Sequence, residues 1–286
     1  MEVAKKFSCK VYQNPDNFTF ILGCILAIGI FSSYLPQHIK IIKRRSSEGL
    51  SPAYLLLGSL SAFSAFTNIF IVTVPARRCC VSTLSAFQCS NALVGFSQIF
   101  LQAIGFILIF VLCVSVTRNS IRESKTDYHK LTLNFNIFLL YATLNVIFMT
   151  YLFHIDKKNK LEELFFFADI SGVISTVLAL IQYLPQIYTT FHVKHPGSLS
   201  IPMMCLQTPG GYLWSFSLYS QPNSKWSSWL PFFASANLQL ILLTMCLYYK
   251  IYFPTRLTEA NAELRIAEEN LSHSAHSQSN ENTPLI

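Results

Sequence analysis

The sequence predicts an all-α membrane protein: seven transmembrane helices arranged as two parallel three-helix bundles joined by a linker helix, a 3+1+3 plan. Three observations predict it. Of 286 residues, 52% are hydrophobic and only 12% charged, where soluble domains carry roughly 25% charged residues. The apolar residues gather into seven runs, each close to the roughly 20 residues that cross a bilayer. And Tyr34-Leu35-Pro36-Gln37 returns, 149 positions later, as Tyr183-Leu184-Pro185-Gln186. The same offset carries Leu50-Ser51 onto Leu199-Ser200 and Arg45 onto Lys194, and a one-residue slip pairs Gly49 and Pro52 with Gly197 and Pro202. An internal repeat of this kind decides the fold before any local feature does. A β-barrel would need alternation over strands of about ten residues, and Ile104–Val116 shows none.

In chain order, residues 1–17 form a tail without the apolar core of a cleavable signal, so the first span is expected to act as its own insertion signal. Residues 18–117 hold the first bundle, with spans at 18–41, 53–75 and 92–117. Asn17-Phe18-Thr19 is a glycosylation sequon, but it abuts the first span, which argues against modification. Residues 118–163 hold a basic loop and the linker span, 132–154. Residues 164–252 hold the second bundle, with spans at 164–191, 202–220 and 229–252. The sixth span is the weakest, because Pro209-Gly210-Gly211 interrupts it; such breaks are tolerated in a membrane only where neighbouring helices or a cavity satisfy the freed backbone groups. Residues 253–286 form a disordered tail, its His273–Asn280 segment too polar to order itself. Glu281, Leu285 and Ile286 match an acidic dileucine signal, which a cytosolic sorting adaptor reads as an address for endosomes and the vacuole or lysosome.

Topology explains the net charge of +7, and no nucleic-acid partner is expected. Loops after spans 1, 3 and 5 and the C-terminal tail hold twelve Lys and Arg, against nine on the other side. The positive-inside bias places the N-terminus in the lumen and the C-terminus in the cytosol of an endomembrane. Cys9, Cys79, Cys80 and Cys89 then share the oxidising side, where disulfides persist: Cys79 or Cys80 with Cys89, and Cys9 with the remaining one. Cys24, Cys113, Cys205 and Cys246 lie in apolar runs and read as small apolar filler. No zinc spacing, metal site, cofactor motif or catalytic signature is present, so an enzyme is not expected.

The odd linker span has a physical purpose. Three spans reverse the chain's direction, so a fourth must intervene before the second triplet can enter as the first did; the result is a parallel repeat of the transporter type. Pro36 and Pro185 each remove one helical hydrogen bond and push away the carbonyl four residues earlier. With Gln37 and Gln186 beside them, they are expected to be paired hinges.

At these residues the chain resembles the PQ-loop family, which includes cystinosin, the vacuolar basic amino acid transporters and, more distantly, the SWEET sugar transporters. The likeness covers the 3+1+3 plan and both motifs, Tyr34–Pro52 and Tyr183–Pro202. It looks most like the fungal branch, on Leu206–Gly211 and Trp226–Leu230. The resemblance implies that the Pro-Gln segments are hinges and that substrate lies between the bundles near mid-membrane. The family's basic amino acid carriers commonly have Gly-Asp in span 2. Here Gly58 is followed by Ser59, which argues against lysine or arginine as substrate.

Candidate solute contacts are the amides within spans: Asn68, Gln98, Gln102, Asn145, Gln182, Gln207, Asn237 and Gln239. Gln98 and Gln102 share a helix face at i, i+4. Asp169 is the one acid clearly committed to a span, a candidate for proton coupling, or alternatively an interfacial cap of span 5. The expected function is a secondary carrier that moves a small polar solute, an amino acid or similar, across an endomembrane by alternating access. The alternative is a non-carrier: a protein of phospholipid scrambling, or a nutrient-sensing receptor. Substrate, coupling ion and oligomeric state are not written in the residues.

Overall fold

A computed structural model describes residues 9–44, 50–117, 125–155, 161–194 and 201–252. Apart from short turns those residues are helical, without strands: a 3-10 turn at Cys9–Tyr12, then α1 (Asn17–Arg44), α2 (Pro52–Val72), α3 (Val74–Ser82), α4 (Ala86–Ala92), α5 (Val94–Thr117), α6 (Lys125–Ile155), α7 (Leu161–Val193), α8 (Ile201–Tyr219) and α9 (Trp226–Tyr252). Six of the described helices are long and apolar enough to cross a membrane: α1, α2, α5, α6, α7 and α9. The expected sixth span, α8, does form a helix of 19 residues with Pro209 inside it. Gln207, Thr208, Pro209, Gly210 and Gly211 dilute its apolar character, so length and composition alone do not mark it as a span.

The segment between the second and third expected spans is more structured than the sequence suggested. The helix of span 2 stops at Val72, and Pro75, in the first turn of α3, starts a new helix, a position where its missing N–H costs nothing. Ser85 opens α4 with a capping box: its hydroxyl accepts from the Gln88 N–H while the Gln88 side chain accepts from the Ser85 N–H. Asp16 opens α1 by accepting from the N–H and hydroxyl of Thr19 and the N–H of Phe18. The hydrogen bonds from Thr19 hold its carboxyl below the usual carboxylate range.

The chain divides into two compact units, Met1–Tyr183 with Pro209–Asn237, and Leu184–Thr208 with Leu238–Ile286. In the first, α1 and α2 pack against α5, and α6 lies against α2 and α5. The most enclosed helix is α2. Its small residues Gly58, Ser59, Ala62, Ser64, Ala65 and Thr67 are all buried, as suits close approach of helices in lipid. Its apolar residues reach three clusters: Leu55 with Ile41, Phe110 and Phe138; Ala65 and Ile69 with Ile99, Leu218 and Phe232; Ile71 and Val72 with Leu152, Leu164 and Ala168. The outermost surface of α1 is an exposed stripe, Phe18, Ile21, Ile25, Ile28, Phe31, Leu35, Ile39 and Ile42, at helical spacing and suited to lipid tails. In the second unit, Ile187, Ile201, Met204, Leu242, Leu243 and Cys246 form a core of their own.

Candidate functional site

The polar residues of the first unit form two layers around α2. The layer toward the disulfides is centred on Asn68, which is fully buried. Its Nδ2 donates to the Ala168 carbonyl at 2.8 Å and to Ser227 Oγ at 2.9 Å, and its Oδ1 accepts from Ser228 Oγ at 2.6 Å. Ser227 Oγ in turn donates to Asp169 Oδ1 at 2.6 Å, and Lys225 Nζ donates to Asp169 Oδ2 at 3.0 Å. Lys225 also lies 4.5 Å from the centre of the Phe165 ring. One chain of hydrogen bonds thus ties α2, α7 and the start of α9. It is tight because Gly172 lets the two backbones touch: a Cβ there would stand 2.3 Å from the Ser227 carbonyl oxygen.

A second group of polar contacts is less complete. Gln98 Nε2 donates to the Gly23 carbonyl at 2.9 Å and to Ser217 Oγ at 3.3 Å, which joins α5 to α1 and α8. Ser61 donates to the Ser175 carbonyl, Ser64 meets the Tyr141 hydroxyl, and Thr67 donates to Asn145 Oδ1. Ser59 Oγ, Gln98 Oε1, Gln102 Oε1 and Trp214 Nε1 are all buried with no hydrogen-bond partner. These four orphaned atoms sit on α2, α5 and α8, helices that the Gln98–Ser217 bond and the Ala65–Ile99–Leu218 cluster hold together. Buried polar groups are nearly always paired, and an unpaired one costs about 1–3 kcal/mol. Farther along α2, Gly58 packs against Phe106 and lies close to Gln182 Nε2, and Tyr34 stacks on Gly105.

The other expected contacts are placed as follows. Asn237 Oδ1 accepts from the Tyr212 hydroxyl and its Nδ2 donates to the Phe233 carbonyl. Gln239 donates to Gln207 Oε1 at 2.9 Å inside the second unit. Pro36 lies within an unbroken α1 and Gln37 is half-buried. Pro185 and Gln186 lie on the helical backbone of α7, and their side chains are outside the described residues. So are Glu281, Leu285 and Ile286. Sequence reading passed over Lys225, Ser227, Ser228 and Trp214. Serines and tryptophans are ordinary in apolar helices; burial distinguishes Ser227, Ser228 and the Trp214 indole nitrogen, and the ion pair with Asp169 distinguishes the part-exposed Lys225.

Two disulfides close the face on which α1 begins: Cys9–Cys79, with Cα atoms 5.7 Å apart, and Cys80–Cys89, at 5.2 Å. Tyr12 is held beneath them, 4% exposed, and burial pushes its phenol up, a shift that the Asn223 hydrogen bond only partly offsets.

Apolar helices in number, buried amides and a duplicated Pro-Gln helix define a multi-pass membrane protein built from a repeat. Comparison with known sequences gives the repeat its name. The PQ loop repeat matches twice, at residues 18–76 and 167–227, so the chain carries two copies of that repeat. A Schizosaccharomyces pombe protein described only as uncharacterized is 29% identical over 277 residues, which covers 88% of this chain and 87% of that relative.

Proposed function

We propose that the chain is a secondary carrier that moves a small polar solute across an endomembrane by alternating access of two three-helix bundles. In this reading α1, α2 and α5 form one bundle, α7, α8 and α9 the other, and α6 links them; α8 is the sixth of the seven spans. The N-terminus is lumenal, the C-terminus cytosolic, and the terminal Glu281, Leu285 and Ile286 direct the protein toward the vacuole, lysosome or endosome–Golgi system.

The observation that carries this reading is four of the six buried, unpartnered polar atoms among the described residues, those on Ser59, Gln98, Gln102 and Trp214. A hydroxyl, two amide oxygens and an indole N–H suit a solute rich in hydrogen-bond donors and acceptors, such as an amino acid, and binding such a solute would remove the cost of leaving them unpaired. None of the four carries a charge, which favours a neutral or zwitterionic solute over a cationic one. Pro36 and Pro185 serve as hinges. The division into compact units falls within α7 between Tyr183 and Leu184, beside Pro185, within α8 at Pro209, and within α9 between Asn237 and Leu238; the two prolines weaken their helices. Asp169 couples protons to transport, its carboxylate closing one end of the site through Ser227 and Lys225.

Uptake into vesicles containing the purified protein, with and without a pH gradient, tests the reading. Wild type should accumulate at least one amino acid or comparable solute, Pro185→Leu should slow it about tenfold or more, as expected for loss of a gating step, and Asp169→Asn should lose the response to the gradient. No uptake of any amino acid or sugar by wild type would defeat the carrier reading; uptake indifferent to the gradient and to Asp169→Asn would defeat proton coupling alone.

A further inference from the structure

The segment Cys9–Asp16 crosses from one repeat to the other on the disulfide face, and its two attachments differ in kind. Toward the first repeat it is fixed. Cys9 is bonded to Cys79 of α3, Gln88 Nε2 of α4 donates to the Gln13 carbonyl at 2.8 Å, and Asn91 Nδ2 donates to the Asp16 carbonyl at 3.2 Å. Cys80–Cys89 locks α3 to α4 beneath it. Toward the second repeat, among the described residues, it is held by the Tyr12 side chain. Tyr12 accepts a hydrogen bond from Asn223 Nδ2 at 3.0 Å, in the turn between α8 and α9, where Asn223 adopts a left-handed φ of 57°. Asn tolerates that conformation better than most residues.

Tyr12 also roofs a small cavity whose walls include Thr73, Gln221, Asn223, Ser224 and Ser228. The cavity measures about 20 Å³, and Gln221 Oε1 is buried there without a partner. Ser228 on its wall donates to Asn68, so the cavity borders the polar residues described above.

We infer that Cys9–Asp16 is a lid, tethered permanently to the first repeat by the Cys9–Cys79 disulfide, and that Tyr12 is its latch, closing access to the polar interior from the disulfide face by docking on Asn223. The arrangement suits a part that must release one partner and keep the other. A covalent bond holds the fixed side. One neutral hydrogen bond and one buried ring hold the releasing side, a contact that thermal motion breaks readily. The Tyr12 phenol stays neutral across physiological pH, since burial raises it further above its ordinary value near 10, so the latch is not a pH switch.

The inference deepens the carrier reading, but its test uses no transport. Thr73→Cys places a thiol on the cavity wall. In the full-length protein with Cys24, Cys113, Cys205 and Cys246 replaced by Ala, in lipid nanodiscs, the rate at which a water-soluble maleimide adds to that thiol is followed by intact mass, with the disulfides left oxidised. Tyr12→Ala should raise the rate about tenfold or more, and Cys9→Ala with Cys79→Ala should raise it similarly by freeing the tether. Tyr12→Phe, which keeps the ring and loses only the hydrogen bond, should fall between Tyr12→Ala and the parent, and Asn223→Ala should match Tyr12→Phe. Thermal unfolding of each variant shows that it is folded. A rate in Tyr12→Ala equal to that of its parent would overturn the lid, as would untethered protein labelling no faster than tethered protein. Wild type that transports nothing while these rates hold would defeat the carrier reading and leave the lid standing.

Discussion

Asn68 has no exposed surface and makes three hydrogen bonds, to the Ala168 carbonyl, Ser227 and Ser228. Both ends of its amide are therefore used inside the protein, unlike those of Gln98 and Gln102, each of which keeps an unpaired oxygen. The two situations predict opposite responses to the same change. Asn68→Leu strands the Ser228 hydroxyl and removes the side-chain donor to the Ala168 carbonyl, while Ser227 keeps its bond to Asp169; it should destabilise the protein by about 1–3 kcal/mol, seen as a lower unfolding temperature in detergent, and an unchanged temperature would contradict the hydrogen-bond chain. Amides inside apolar runs are visible in a sequence, so Asn68, Gln98 and Gln102 stood out there. Which of them is saturated did not, because saturation depends on Ser217, Ser227 and Ser228 arriving from helices more than a hundred residues away.

At the scale of elements, α2 is legible as a span but not as the central one. Its small residues mark close packing, while the side on which each neighbour arrives is set by the tertiary fold. α8 is the converse case: Pro209-Gly210-Gly211 marked it as weak in sequence, and composition leaves it outside the six helices apolar enough to span. α3 and α4 were unread because a nine-residue and a seven-residue helix leave no apolar period long enough to notice, although the Ser85–Gln88 capping box is written in the residues. The contact of α7 with α9 depends on Gly172. Gly172→Val places a branched side chain against the Ser227 backbone, where even a Cβ would be 2.3 Å from the carbonyl oxygen. Overpacking of this kind costs about 1–3 kcal/mol or more. The variant should unfold at lower temperature, and because the shift separates Asp169 from Ser227, it should also weaken the tie to Asn68. A variant as stable as wild type would show that the helices are not in contact there.

For the whole molecule, the repeat was the most legible feature, since two copies of Tyr-Leu-Pro-Gln at a fixed offset survive without any structure, and the family match falls on the same two regions. The site was only half legible. Ser59 was visible as the residue standing where basic amino acid carriers of the family have an acid, yet its burial was not, and Trp214 gave no signal at all. The account makes Ser59, Gln98, Gln102 and Trp214 a solute site maintained at the expense of unpaired polar atoms, and that has a signature which separates function from packing. Replacing an orphaned buried amide by an apolar side chain of similar size is neutral or stabilising, whereas it removes a contact to any solute. Solute binding to purified Gln102→Leu, measured by tryptophan fluorescence over a panel of amino acids and sugars beside its unfolding temperature, tests this most directly. The account predicts an unfolding temperature equal to or above that of wild type, with affinity for the wild-type solute weakened about tenfold or more, as for loss of one buried hydrogen bond. Binding unchanged from wild type, or a loss of stability as large as the loss of binding, would contradict it.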